Sequence, residues 1–350
     1  MTATNHGVGC LTKLAHLCFI SVLVVVTTCA ESSSDTQLIG VGGTFPLPVY
    51  TVWFEHYEIA HPGCRFRYLP SGSGVGVDQV SSGAADFGGT DAPMTDREIA
   101  AAKVKVLHFP SVLGAAVPIY NLPRVNETLN FTPHVLSGIF LGTIKKWNHP
   151  AILADNPGVA LPEVQIVVVH RDRASGTTYI WTDYLSKVSL EWRNQVGKGT
   201  EINWPIGRGA SGSGGMAETV ARTPYSIGYT ELTFALLNHV RYGRVRNAAG
   251  KFVKADLKSV TAAAAGAANT MPGDFRVSIT NAPGADAYPI SSFTWLLIPA
   301  NLDGTKRPVL TGFLRWMLTT GQSTSVESLG YARVPESVVR RELRAIDHIH

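Results

Sequence analysis

Apolar positions along the chain follow two recurring patterns: short unbroken runs, and longer stretches with apolar side chains every three or four residues. The runs Gln37–Val41, Phe66–Leu69, Asp86–Gly88, Val112–Tyr120, Gln165–Val169, Phe293–Ile298 and a segment opening Ser226-Ile227-Gly228-Tyr229 predict β-strands. Pro46 opens a helix with Val49, Val52, Trp53 and Tyr57 at helical spacing. Helical spacing also marks Val75–Ser82, Val135–Leu141, Thr177–Ser186, Ala262–Ala268 and Val309–Thr319. Thr95-Asp96-Arg97-Glu98 forms a capping box for a further helix. Gly207–Gly215 reads as a Gly/Ser-rich loop and Asn247–Gly250 as a turn. Alternating strands and helices predict an α/β architecture with mostly parallel sheets.

Three of the predicted strand-to-helix junctions share one chemistry. They are Gly42-Gly43-Thr44-Phe45-Pro46, Ser71-Gly72-Ser73-Gly74 and His170-Arg171-Asp172-Arg173-Ala174-Ser175-Gly176-Thr177. Helix starts present free backbone N–H groups, and small residues let an anion approach them. Arg171 adds a planar fork suited to a tetrahedral oxyanion. A fourth segment, Asp86-Phe87-Gly88-Gly89-Thr90-Asp91, turns at a carboxylate. Ligands in open α/β sheets sit beyond the carboxyl ends of strands, which predicts one cleft between two lobes with these segments around it.

Composition narrows the partners. The chain has 350 residues, 45% hydrophobic and 16% charged, with a net charge of +4. That length accommodates two lobes, and no Lys/Arg-rich run marks a nucleic-acid surface. Residues 1–30 form a targeting segment with Lys13 as their only charged side chain, so removing them leaves +3. The apolar run Leu17–Val26 is too short for a membrane-spanning helix and is followed by small residues, the pattern of a signal peptide. Two readings of its end stand. Val26-Thr27-Thr28-Cys29 loosely resembles a bacterial lipobox with Cys29 lipidated, although Thr28 is unusual before the cysteine; the alternative is simple cleavage after Ala30. Cys10, Cys18 and Cys29 lie in the leader, leaving Cys64 without a disulfide partner and without a CxxC zinc pair.

Ordered blocks across the chain resemble the phosphate-binding receptors of Pst-type ABC transporters, which are periplasmic solute-binding proteins. The resemblance runs from about Leu38 to Val338 and is strongest at Gly40–Tyr50, Gly72–Gly74, Asp86–Met94 and Ser175–Thr177. It implies a two-lobed, type II-like periplasmic-binding-protein fold with hinge crossovers and an interlobe ligand cleft. The expected boundaries are 36–115 plus 287–350 for lobe I and 116–286 for lobe II. It implies high-affinity binding of inorganic phosphate for import, delivery to membrane permease subunits, a monomer, no cofactor and no metal, and a periplasmic or cell-envelope location. Thr44 and Phe45 match the first contact pair, and Ser73 matches a hydroxyl and amide donor. Asp91 matches the carboxylate that accepts a proton from phosphate, and Arg171 the single ion-pairing arginine. Ser175, Gly176 and Thr177 match the donors of the second lobe. One position departs from the family pattern: Arg173 stands where an acidic residue is common, and Asp172 lies directly after Arg171. This implies an altered charge balance, with Arg173 at the rim of the site.

Other readings are weaker. No G-x-S-x-G elbow, H-E-x-x-H helix or P-loop occurs, which argues against a hydrolase and against the transporter ATPase. Phosphate near neutral pH carries a proton and sulfate does not, so a buried acceptor at Asp91 favours phosphate over sulfate or molybdate but does not exclude arsenate. Taken singly, Asp91, Thr44 and Ser175 could each be a helix cap, Ser73 a turn residue, and Arg171 a surface ion pair.

Overall fold

The computed structural model describes residues 35–350. Its strands are β1 (Thr36–Gly42), β2 (Cys64–Leu69), β3 (Phe87–Thr90), β4 (Val106–Asn121), β5 (Asn130–Phe131), β6 (Val167–Arg171), β7 (Arg208–Ala210), β8 (Ser226–Glu231), β9 (Arg241–Tyr242), β10 (Arg244–Arg246), β11 (Phe252–Val253) and β12 (Ser291–Pro299). One large sheet runs β2-β1-β3-β12-β4-β8-β6-β7, with β9 also beside β4; a small sheet runs β11-β10-β5. Helices fill the connections, and the α/β class expected from the sequence is the one observed.

The sheet is mixed rather than mostly parallel. β1 pairs in parallel with β2 and β3, and β6 with β7 and β8. β12 and β4 run against their neighbours. The reason lies in β4, a 16-residue strand buried along nearly its whole length. From Val106 to Ala115 it pairs with β12; from Ala116 to Asn121 it pairs with β8. It therefore belongs to two halves of the sheet. A proximal half holds β1, β2, β3, β12 and the start of β4; a distal half holds the end of β4 with β6, β7 and β8. Both faces of such a strand are covered, which explains its nearly continuous apolar sequence. It begins six residues earlier than its apolar core suggests because Pro110 sits next to a shift in register against Thr294 and Trp295, where a proline is tolerated.

Elsewhere the sequence pattern carries over with identifiable adjustments. The helix Leu47–Ala60 buries Tyr50, Trp53, Phe54 and Tyr57. Phe54 stacks on Phe66 of β2 at 4.8 Å, and Phe66 meets Phe313 at 4.8 Å. Thr95 closes its capping box over the helix Asp96–Ala101. The helix expected from Ala262 starts at Leu257 because Asp256 and Ser259 make a second capping box. Gly207–Gly215 is not a loop: it contains β7 and the first turn of a helix, Gly212–Arg222. Met216, Ala217 and Val220 are buried along that helix, and this packing outweighs the poor helix propensity of its opening glycines. Cys64 is buried and unpaired. Among the described residues no helix is long and apolar enough to cross a membrane.

One buried acid stands apart from all this. Glu342, on the helix Glu336–Ala345, is fully buried, and neither carboxyl oxygen has a hydrogen-bond partner. Burial raises its pKa well above the usual 4.5. The folded state then holds a proton that the unfolded chain releases near pH 4.5, so this residue removes stability as pH rises. Glu342→Leu is expected to stabilise the protein by about 1–3 kcal/mol at neutral pH, with a smaller gain near pH 4, where the proton linkage no longer contributes. Urea unfolding at the two pH values checks this.

Candidate functional site

The carboxyl ends of β1, β2, β3, β6 and β8 point to one junction between the halves of the sheet, as the general rule for such sheets requires. From the proximal half, Thr44 and Phe45 follow β1, Ser73 opens the helix Ser73–Ser81 after β2, and Asp91 follows β3. From the distal half, Arg171 ends β6, and Ser175 caps the helix Gly176–Val188.

Ser73 and Asp91 are buried together. The backbone N–H of Asp91 donates to Ser73 Oγ at 3.4 Å, and Ser73 Oγ lies 3.5 Å from Asp91 Oδ2. Thr294 of β12 donates to Asp91 Oδ1 at 2.8 Å. The distal half touches this pair directly, because Gly176 N–H donates to Ser73 Oγ at 3.1 Å. The approach requires a glycine: a Cβ on Gly176 would stand 2.5 Å from both Ser73 Oγ and Asp91 Oδ2. Gly72, at φ +103°, likewise lies against the carbonyl of Ala174, and a Cβ there would stand 2.6 Å from it.

The remaining expected residues sit around this contact. Phe45 is buried as a wedge whose ring packs against Gly114, and its carbonyl accepts from Tyr331 at 2.6 Å. Ser175 is a helix cap, accepting from Thr178 N–H. Thr177 donates its hydroxyl proton to Glu231, and Thr44 Oγ1 meets Ser213 Oγ at 2.5 Å. Arg171 is 6% exposed, and its Nε has no hydrogen-bond partner. Asp91 caps no helix, since the next helix is capped by Thr95. Cys29 lies outside the described residues.

Two carboxylates share this dry space. Asp91 and Glu231 are each 1% exposed. Burial, then the negative charge of Glu231, pushes the Asp91 pKa up to about 8, against the pull of Thr294, Arg171 and Ser73. Glu231 and Ser213 were not among the residues expected from the sequence. Their signals were a charge closing a buried strand and a serine inside a glycine run. Arg173 and Asp172 are exposed, and Arg173 lines a cavity of about 330 Å³ together with Arg171, His170 and Trp204. His170 stacks on Trp204 with ring centroids 4.9 Å apart.

A buried arginine nitrogen without an acceptor, helix N-termini from both halves and a titratable acid meet at this junction, a set of groups suited to an oxyanion. The family model described as a PBP superfamily domain matches residues 27–320. The phosphate-binding protein PstS of Xylella fastidiosa is 38% identical over 314 residues, covering 89% of this chain and 85% of that protein. PstS of Pasteurella multocida is 37% identical over 336 residues, covering 95% and 94%. Among solved structures, a putative phosphate ABC transporter substrate-binding protein with bound phosphate from Clostridium perfringens superposes with a TM-score of 0.63 at 18% identity, covering 86% of this chain and all of that one. A phosphate-binding protein from Stenotrophomonas maltophilia gives 0.67 at 17% identity, covering 89% and 94%. The chain belongs to the PstS family of phosphate-binding proteins.

The raised pKa of Asp91 has a thermodynamic sign. Between about pH 4 and 8 the folded, ligand-free protein keeps a proton that the unfolded chain has lost, so stability falls across that window. Asp91→Asn removes this dependence. Its unfolding midpoint without ligand is expected to rise relative to the parent from pH 4 to 8 and to hold a constant margin above 8, as read by thermal melts.

Proposed function

We propose that the protein is a receptor that binds inorganic phosphate at this junction and hands it to the membrane permease subunits of an ABC transporter. The observation that carries the reading is Arg171 Nε, buried without an acceptor. A buried donor of a charged group is destabilising unless an acceptor meets it, and an oxyanion supplies that acceptor. Ser73, Ser175, Gly176, Thr177, Thr44 and the backbone at Phe45 surround the anion, and Asp91 handles its proton. The role is binding rather than catalysis: Arg171 and the helix N-termini hold charge.

In this reading 36–115 with 287–350, and 116–286, are two lobes that close over the anion, with β4 and the entry to β12 as crossovers. Residues 1–30 direct export to the periplasm or cell envelope, with Cys29 as the site of lipid attachment or Ala30 as the last residue removed. The exposed Arg173 adds positive charge at the rim beside Arg171 where the family pattern carries an acid, which favours anion entry at low ionic strength.

Calorimetric titration of residues 31–350, stripped of bound anion, tests the reading. Tight one-to-one binding of phosphate is expected, weakened about ten- to a hundredfold by Arg171→Gln; a folded, stripped protein that ignores phosphate sinks it. Arg173→Asp is expected to flatten the salt dependence of the association rate. The acid at Asp91 adds a pH signature. Protonated below about 8, it can donate to sulfate as well as phosphate; ionised above 8, it accepts only from an anion that carries a proton. The ratio of phosphate to sulfate affinity should therefore climb as pH rises through 8, and should stay flat in Asp91→Asn.

A further inference from the structure

Beside the residues discussed above lies a chain of hydroxyls with no assigned role. Glu231 closes β8, opposite Ala116, where β4 passes from one half of the sheet to the other. Three hydroxyls converge on its carboxylate: Thr177 and Ser213 (2.9 Å) on Oε1, and Thr230 (3.0 Å) on Oε2, the last sharing its proton with the Ser213 carbonyl at 3.2 Å. A carboxylate only accepts, so all three are donors. Ser213 has one proton, and it goes to Glu231. In the Thr44–Ser213 contact at 2.5 Å, Thr44 must then be the donor. The chain has one direction, from Thr44 through Ser213 to Glu231, and it joins a loop of the proximal half to a helix of the distal half.

We propose that Ser213 and Glu231 are positioning residues of the anion site, holding the hydroxyls of Thr44 and Thr177 ready beside the ligand. This rests on the phosphate-receptor reading. Both positioning residues are buried, at 1% exposure each. The arrangement holds each hydroxyl without committing it. When an oxyanion enters, Thr44 can turn its proton to the anion while Ser213 still donates to Glu231, so no buried donor is orphaned. Thr177 can turn likewise, because Glu231 keeps two other donors. The hydroxyls are therefore ordered before binding, and the ordering entropy is not lost again when the anion arrives. The groups facing Glu231 are these three hydroxyls and the Asp91 carboxyl, whose pKa its charge helps to raise, with Tyr229 and Tyr331 nearby, both driven far up by burial first and by the Glu231 charge in part, so they stay neutral. Holding the hydroxyls needs hydrogen-bond acceptance at Oε1; the charge acts separately, on Asp91.

Stopped-flow and calorimetric titration with phosphate test this on the parent, Ser213→Ala, Ser213→Thr, Glu231→Gln, Glu231→Leu and the pair Thr44→Val with Ser213→Ala. Ser213→Ala is expected to release phosphate about tenfold faster, with its association rate unchanged, and Ser213→Thr to restore the parent rate. Glu231→Gln can keep its oxygen on Thr177 and Ser213 and turn its amide to Thr230, so its release rate should stay closer to the parent's than that of Glu231→Leu, while the lost charge moves the pH dependence set by Asp91 to lower pH; Glu231→Leu should lose affinity at least as far as Ser213→Ala. Adding Ser213→Ala to Thr44→Val should change little, because the two act through one bond. Unaltered release in Ser213→Ala, or full additivity with Thr44→Val, overturns the inference, and both measurements stand even if Glu231→Leu does not fold. If the parent itself fails to bind phosphate, the receptor reading falls; if the parent binds and Ser213→Ala matches it, only this inference falls.

Discussion

The structure depends on a single strand changing partners. β4 hydrogen-bonds to β12 up to Ala115 and to β8 from Ala116 onward. That switch divides one sheet into two halves and turns the carboxyl ends of β1, β2 and β3 toward those of β6 and β8. Without it, Ser73 and Asp91 would have no reason to meet Gly176 and Arg171, which lie roughly a hundred positions away along the chain. The meeting is close enough that Gly72 lies against the backbone of Ala174 and Gly176 against the side chains of Ser73 and Asp91, where a side chain has no room. Burial follows from the same closeness, and burial sets the electrostatics: Asp91 keeps its proton and Arg171 is left with an unmatched nitrogen.

A buried unmatched donor and a buried acid that resists ionisation are each unfavourable alone. In the proposed receptor both become favourable with an anion that accepts from Arg171 and can exchange a proton with Asp91. Stability and recognition pull in opposite directions here, and the cores of the two halves carry the strain. The aromatic cluster of Phe54, Phe66 and Phe313 anchors the proximal half well away from the junction. Trp181, Trp204 and Tyr229 stack in the distal half, where Tyr229 also supports the Arg171 backbone through its hydroxyl.

Much of this was legible in the sequence where local chemistry decides it. The Thr95 capping box, the run Gln37–Val41 and the glycines beside Thr44 and Ser73 announce themselves through neighbours a few residues away. The candidate site was legible because its residues cluster at helix starts and match a family pattern. What was not legible is tertiary. Strand direction could not be read, since β12 enters the sheet from the far end of the chain and runs against β3 and β4. The glycine run at 207–215 looked like a loop because the packing of Met216, Ala217 and Val220 that makes it a helix comes from other segments. Glu231 escaped notice because nothing beside it in sequence reveals that Thr177 and Ser213 converge on it.

The position of β12 has a consequence in time. It lies between β3 and β4, yet it is among the last segments of the chain to be made. As the polypeptide emerges, β1, β2 and β3 can pair, but their sheet has no route to β4 until residue 299 is available. The distal half, by contrast, takes its main-sheet strands from residues 116–242 and can assemble while the proximal half still waits. The half that begins first in sequence is completed last, so the junction between the halves forms only once β12 is made. A molecule stopped short of β12 would expose the unpaired edges of β3 and β4, the kind of surface that recruits other chains.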